Sequence, residues 1–189
     1  MERQVHAFKF EDQIKIDLDV VEEEKGYIDE WDIGTNVSVK FIKEKGPIAG
    51  SDILRMLKHL DTVIETGDSF FMILGRHINK KCSAVYELEF TPEICKALKG
   101  QLTTELIKEF ADQVKHDFKG PENEKACQLF HKQWKEEHKH LMGKLTVNPK
   151  VNSTNRRVQC SINMGNYNSL FGNIEPSDKF QHLVGVDFA

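Results

Sequence analysis

The sequence is best understood from the stretch FFMILGRHINKKCSAVYELEF, residues 70–90. Its first part, Phe70 to Leu74, is a continuous apolar run of strand length. Its last part, Ser83 to Phe90, alternates apolar and polar residues and places Tyr86, Leu88 and Phe90 on one side. The polar Asn79-Lys-Lys81 between them is typical of a turn. The stretch therefore predicts a β-hairpin with one apolar face.

Upstream of this hairpin the sequence also predicts strands. Ile14-Lys-Ile-Asp-Leu-Asp-Val20 alternates without a fault, as a strand with one solvated face requires, and Val5 to Phe10 can pair with it. A charged loop, 22–34, leads to a third strand over 36–42. This part of the chain is expected to be all β.

Helix signals follow at three points. Gly46-Pro47 breaks the chain, after which Ser51-Asp52 supplies an N-cap for a helix that Gly67 closes. Thr91-Pro92 begins the next helical region, which Gly100 interrupts and which starts again at Thr103 before Gly120-Pro121. A further helix is predicted over 122–142, with its inward residues spaced by four: Ala126, Phe130 and Trp134.

The last part of the chain returns to strand patterns. Residues 144–151 and 156–164 predict a hairpin around 152–155, with Val158, Cys160, Ile162 and Met164 facing inward. A loop over 165–178 and a final strand over 182–188 follow. The predicted order is βββ-α-ββ-α-α-βββ. Because most neighbouring strands are joined by short turns, we expect an α+β fold with a largely antiparallel sheet and three to four helices. A length of 189 residues favours a single domain over 1–189.

Composition limits the class of protein. The N-terminal sequence lacks the apolar core of a signal peptide and no apolar run is long enough to span a bilayer, so we expect a cytoplasmic protein without a membrane partner. The four cysteines are far apart and form no C-x-x-C, which favours reduced thiols with structural roles. Cys95 alone sits early enough in a predicted helix to gain some thiolate character. No cofactor motif is present, and none is expected.

The distribution of charge gives the clearest functional signal. The first 32 residues carry four basic and eleven acidic side chains, whereas residues 125–157 carry eight basic and two acidic ones. If the helix over 122–142 packs on the hairpin that follows it, the basic side chains could form one surface for a polyanion. The predicted polyanion-binding residues are Lys132, Lys135, Lys139, Lys144, Arg156 and Arg157.

A metal site is the second chemical hypothesis. Glu136 and His140 are one helical turn apart and could contact the same metal ion. The set is incomplete, since a site needs one or two further ligands from elsewhere in the fold. Four histidines also have no role at this point: His6, His59, His77 and His116.

The sequence therefore favours a non-catalytic binding or regulatory protein that acts through a charged surface on a macromolecular partner. We expect a protein as the partner, with self-association as one form of it. Two alternatives remain open: a nucleic-acid-binding protein that uses the basic region 125–157, and a metal-dependent hydrolase built on Glu136 and His140. No catalytic residue is predicted because the nucleophile motif G-x-S-x-G is absent and triads leave no local pattern.

Overall fold

The computed structural model describes residues 5–20, 32–34, 36–151 and 156–189, with Ser51 and Arg156 described by their backbones alone. These residues form two compact units. Unit 1 comprises the described parts of Met1–Gly46, Ser69–Thr91 and Phe171–Ala189, and unit 2 those of Pro47–Asp68 and Pro92–Leu170. Because a compact unit can be part of a larger domain, the expectation of a single domain over 1–189 stays a prediction.

The fold is a mixture of helices and strands, as predicted, but the element order differs. The described elements follow the order α-β-β-α-β-β-α-α-α-β-β-α, with two short 3-10 helices, Pro121–Asn123 and Asp178–Leu183. The strands form two sheets of three rather than the one sheet that was expected. Three of the four strand pairings are antiparallel and one is parallel.

Unit 1 is built on a sheet with the strand order β1-β3-β4, where β1 is Val37–Lys43, β3 is Phe70–Ile78 and β4 is Lys81–Phe90. The hairpin predicted from residues 70–90 is confirmed as the antiparallel pair β3–β4, although β3 is longer than its apolar run. Its turn holds Asn79 and Lys80 at positive φ, 49° and 70°. The parallel pairing of β1 with β3 was not predicted.

Residues 5–20 contain the largest error of the sequence analysis. They form a helix, α1 (Val5–Asp17), and not the predicted pair of strands. The inward residues Phe10 and Ile14 are four apart and fully buried, whereas Ile16, which the alternating pattern put beside Ile14, is 66% exposed. Within the alternating run, only Ile14 and Leu18 also fit the helical spacing of four that begins at Phe10, and these three residues pack in the core of unit 1. The loop predicted over 22–34 falls mostly outside the described residues.

The core of unit 1 is aromatic and closely packed around a glycine. Phe10 of α1 stacks on Phe41 of β1 with ring centroids 4.5 Å apart, and Phe188 meets both rings edge-on. A Cβ atom on Gly75 of β3 would lie 2.5 Å from the Phe10 ring and 2.6 Å from that of Phe41. The absence of a side chain at Gly75 therefore allows the stack to rest on the sheet.

The C-terminal part of unit 1 is attached to β4 without forming the predicted strand over 182–188. It contains the 3-10 helix Asp178–Leu183 and then a single bridge from Asp187 to Lys81. Backbone hydrogen bonds join Ser177 to Val85 and Val186 to Cys82, each 2.8–2.9 Å long. The segment is held by the sheet, as expected of an apolar terminus, but with a different backbone conformation.

Unit 2 pairs a second sheet with helices. Its strands have the order β2-β6-β5: β2 is Ile48–Asp52, β5 is Thr146–Val151 and β6 is Arg156–Ile162. The β5–β6 pairing confirms the predicted C-terminal hairpin, whose turn, 152–155, lies outside the described residues. The short strand β2 was missed, since its five residues include a glycine and follow Gly46-Pro47.

Most helix boundaries of unit 2 agree with the capping signals. In α2 (Ile53–Thr66), Asp52 accepts a hydrogen bond from the Leu54 N–H and Gly67 follows in the left-handed conformation. The predicted helical region after Thr91 is α3 (Pro92–Lys99) and α4 (Thr104–Asp117), with Thr103 as the N-cap of α4. The remaining helices are α5 (Glu124–His138) and α6 (Met164–Phe171).

Two details of these last helices correct the sequence analysis. Helix α5 is shorter than the predicted 122–142, and its buried residues are Cys127 and Trp134, while Ala126 is exposed. Helix α6 occupies part of the predicted loop over 165–178, where Asn166 Nδ2 donates to the Lys144 carbonyl. The helix was not predicted because the mixed polar composition of this segment is typical of a loop.

A methyl group at Gly75 should test the aromatic core. We expect Gly75→Ala to lower the free energy of unfolding by about 1–3 kcal/mol, because both rings that it meets are fixed by their neighbours. Gly165→Ala is the matched control, since its Cβ would approach nothing closer than 3.4 Å and a helical alanine replaces a glycine there. Urea unfolding that ranks the two variants equally would contradict this description of the core.

The contribution of Asp32 to the stability of the fold should depend on pH, which provides a second test. One oxygen, Oδ2, accepts hydrogen bonds from the Val39 N–H (2.6 Å), the Ser38 hydroxyl (2.9 Å) and the Lys40 ammonium (2.9 Å). Burial alone would raise the pKa of Asp32, but the Lys40 charge and these hydrogen bonds outweigh it and hold the pKa below its usual value. The carboxylate therefore stabilises the fold above its unfolded-state pKa, and that stability is lost as the pH falls through the lowered value.

We expect Asp32→Asn to reduce the unfolding free energy by about 1–3 kcal/mol at neutral pH. The difference from the wild type should shrink as the pH falls below about 4, the ordinary pKa of an aspartate. Denaturation measured across pH, with the exposed Asp112→Asn as a control, tests this. A difference that stays constant with pH would show that the charge at Asp32 contributes nothing.

Candidate functional site

The β5–β6 hairpin of unit 2 has one apolar and one polar face. Val158, Cys160 and Ile162 of β6 are buried on the first face, as predicted, with Val147 of β5 beside them, whereas Met164 begins α6 and is not part of the strand. The second face carries three cross-strand pairs that contain no apolar side chain: Thr146–Ser161, Asn148–Gln159 and Lys150–Arg157. Asn148 Nδ2 donates to the Ser161 hydroxyl at 2.8 Å, which joins the two strands on this side.

Two cations lie directly opposite each other on this polar face, at the end of the hairpin where residues 152–155 join the strands. Lys150 of β5 and Arg157 of β6 are register partners, and both are exposed. Like charges in this relation repel and weaken a hairpin by a few tenths to about 1 kcal/mol. An anion that contacts both side chains would remove the repulsion. We call Lys150 and Arg157 the cation pair.

Helix α5 contributes a row of lysines. Lys132, Lys135 and Lys139 lie three and four residues apart, and all three are exposed, as predicted. Lys139 forms an exposed ion pair with Glu136, with 3.2 Å between Nζ and Oε2. We call Lys132 and Lys135 the helix row, since these two are the predicted binding residues that project from within α5.

Helix α5 does pack beside the hairpin, as the polyanion hypothesis required. The two elements border a groove of about 270 Å³. Its lining residues come from α5 and from the end of β5: Glu124, Cys127, Gln128, Pro149, Lys150 and Val151. Lys150 thus borders the groove as well as the polar face.

The six predicted binding residues come from three parts of unit 2: helix α5, the segment before β5 and strand β6. Arg157 lies on the strand face opposite to the buried one, whereas the helix row lies on α5. Lys144 precedes β5, donates a hydrogen bond to the Ser169 hydroxyl and is only half-exposed. Arg156 lies in β6, opposite Val151, and the structure describes it by its backbone alone.

The two predicted metal ligands lie at the C-terminal end of α5. Glu136 belongs to the last turn of the helix, which ends at His138, and His140 follows two residues later. Within residues 5–20, 32–34, 36–151 and 156–189, no three histidine, cysteine or acidic residues are grouped to hold a metal ion. The neighbouring histidines diverge: His138 Nδ1 contacts the Trp134 carbonyl at 2.8 Å, and His131 lies against Phe110.

All four cysteines are free and buried, in line with the predicted structural roles. Burial, reinforced by the charge of Glu93, raises the pKa of Cys95 to about 12, which favours a structural role over a reactive thiol at this position. Burial raises the pKa of Cys82 to about 11 in the same way. Neither thiol is ionised at neutral pH.

Two arrangements in the structure were not predicted from the sequence. Lys150 could have been found, because a four-residue turn at 152–155 in the predicted hairpin already puts it opposite Arg157. The other arrangement, His6 of α1 against His77 of β3 with ring centroids 5.3 Å apart, had no sequence signal. The two residues are far apart in the chain, and α1 itself was predicted as strands.

Comparisons with protein-family models, curated proteins and solved structures gave no match to this chain. Among the helices in the described part of the chain, none has the length and apolar character needed to cross a membrane. The geometry of the described residues is therefore the basis for a functional conclusion.

The repulsion within the cation pair leads to a direct prediction for stability. We expect Lys150→Glu to raise the free energy of unfolding by about 0.2–1 kcal/mol, because an attractive pair with Arg157 replaces a repulsive one. The exposed Lys108→Glu, on α4, has the same change of charge without a cross-strand cation and is the control. If Lys150→Glu destabilises the protein more than the control does, the repulsion proposed for this pair is absent.

Proposed function

We propose that this protein is a binding or regulatory protein that acts on a macromolecular partner through the cation pair, with the helix row as a second contact. The observation that carries the proposal is the exposed juxtaposition of Lys150 and Arg157. A folded protein gains nothing internally from two opposed cations, whereas a shared external anion gains two charge-assisted hydrogen bonds.

The surroundings of the two cations favour a partner that recognises a polar surface. Asn148 and Gln159 continue the same face next to the cation pair and offer amide donors and acceptors. Exposed cations contribute mainly to the rate of association and to the choice of partner, since each exposed ion pair is worth less than about 1 kcal/mol. A regulatory protein with a reversible partner fits such a surface.

A protein with an acidic surface fits better than a nucleic acid. Glu136 and Glu137 follow the helix row directly on α5, and the chain carries a net charge of −4. A nucleic-acid backbone presents closely spaced phosphates and is usually met by a more uniformly basic domain. The buried Trp134 is packed against Phe110, with ring centroids 4.4 Å apart, and is not exposed for base stacking.

The proposal is tested by reversing the charge of the cation pair. The probes are a fluorescein-labelled glutamate-rich peptide and a labelled DNA duplex, both titrated in fluorescence anisotropy at low and physiological salt. We expect the wild type to bind the acidic peptide, and Lys150→Glu with Arg157→Glu to weaken that binding by about 10- to 100-fold, from two lost attractions and two new repulsions. The Lys132→Glu, Lys135→Glu variant should give a smaller loss.

Lys108→Glu with Lys119→Glu is the matched control, because it changes the net charge equally at exposed lysines on α4 and just after it. An equal loss in the control would mean that only net charge matters, which would overturn the proposed surface. Tighter binding of the duplex, with a steep loss of affinity in salt, would replace the protein partner by the nucleic-acid alternative. Capture from a host lysate, compared between wild type and the double reversal, would then identify the partner.

A further inference from the structure

Two histidines of unit 1 face each other where α1 meets the sheet. The rings of His6 on α1 and His77 on β3 are perpendicular, with centroids 5.3 Å apart. The Phe41 ring lies beside both, at 6.0 Å from His6 and 4.7 Å from His77. His77 is only 6% exposed. The contact thus belongs to the surface on which α1 is docked.

The hydrogen bonds at this contact suit neutral rings. The Lys80 N–H donates to His77 Nδ1 at 3.2 Å, so that nitrogen must be the unprotonated acceptor. His6 Nδ1 is buried and has no hydrogen-bond partner among the described residues. A proton on His77 Nδ1 would remove the hydrogen bond to Lys80, and a positive charge on His6 would be buried beside that same lysine.

The charged groups around the two rings also oppose protonation. Lys43 at the end of β1 and Lys80 in the β3–β4 turn repel a positive charge on His77 and His6 respectively. Burial is the main cause that lowers the pKa of both imidazoles, followed by Lys80 for His6, and by His6 and then Lys43 for His77.

Several other charged groups of the packed elements have partners away from the two rings: Lys40 bonds to Asp32, and Arg76 to the Lys43 and Gly46 carbonyls. On α1, Glu11 is paired with Lys15, while Lys9 donates to the Ala189 carbonyl. In the C-terminal segment, Asp187 accepts from the Ala189 N–H at 2.9 Å. At the far end of α1, His182 Nε2 contacts Asp17 Oδ2 at 2.9 Å.

We propose that His6 and His77 form an acid-sensitive latch, in which both rings must be neutral for α1 to stay docked on β1 and β3. Acidification puts positive charges on two adjacent rings next to two lysines, and the helix is released. Release exposes Phe10 and Ile14, which are fully buried in the docked state. The inference concerns unit 1 and is independent of the function proposed for unit 2.

Linkage between proton binding and docking determines how the docking of α1 changes with pH. Because both imidazoles titrate lower in the docked state than in the released state, docking is unaffected above the ordinary histidine pKa and weakens as the pH falls below it. Each histidine that takes up a proton on release lowers the equilibrium constant for docking by up to tenfold per pH unit. The two histidines together can therefore lower this constant by up to about a hundredfold per pH unit.

Amide hydrogen exchange of residues 5–17, corrected for the intrinsic effect of pH, measures the release. Between pH 7.5 and 5.5 we expect protection in wild-type α1 to fall by at least about tenfold relative to β3 and β4. His6→Phe with His77→Asn keeps a ring at residue 6 and an acceptor for the Lys80 N–H, and should lose most of this pH dependence. His182→Asn, the matched control, removes a histidine at the far end of α1 and should retain the acid release.

Equal pH dependence in the double variant and the wild type would overturn the latch, as would an α1 whose protection does not change with pH. If the double variant does not fold, an NMR titration of the imidazole protons in the wild type tests whether docking disfavours protonation of the two histidines. Titration of His6 and His77 at or above the ordinary histidine value would show that docking does not disfavour their protonation and would end the proposal.

Discussion

Phe10 lies almost flat on Phe41, at an interplanar angle of 14°, and the two rings rest against the backbone of Gly75. This contact joins three elements of unit 1: α1, β1 and β3. The parallel register that puts Phe41 opposite Gly75 brings the ring over the one position of β3 without a side chain. Phe188 completes the cluster from the C-terminal segment, so both ends of unit 1 depend on the same stack.

In unit 2 the comparable close contact is between two backbone segments and not between aromatic rings. Gly100 and Gly143 approach so closely that a Cβ on Gly143 would lie 2.5 Å from the Gly100 nitrogen. The Lys144 and Leu145 N–H groups then bond to the Ala97 and Leu98 carbonyls of α3, at 2.9 and 3.0 Å. These bonds fix where β5 begins, and the register of β5 with β6 places Lys150 opposite Arg157.

The two units thus support different kinds of chemistry. In unit 2, a rigid hairpin holds two cations together at the cost of their repulsion, which an external anion can relieve. In unit 1, a helix is docked through imidazoles whose protonation its surroundings oppose. The first arrangement is suited to binding and the second to a response to acid.

The sequence by itself determined the features that depend on neighbouring residues: the β3–β4 hairpin, the helix ends at Asp52, Gly67 and Thr103, and the β5–β6 pairing with its inward residues. The exposed lysines of α5 followed from the same local periodicity. Tertiary structure alone decided that residues 5–17 are helical, that β1 runs parallel to β3, that the strands divide into two sheets, and that His6 meets His77. The physical reason is that an alternating apolar segment can bury one side as a strand or as a helix, and only the surface available to Phe10 and Ile14, a sheet with a gap at Gly75, selects between them.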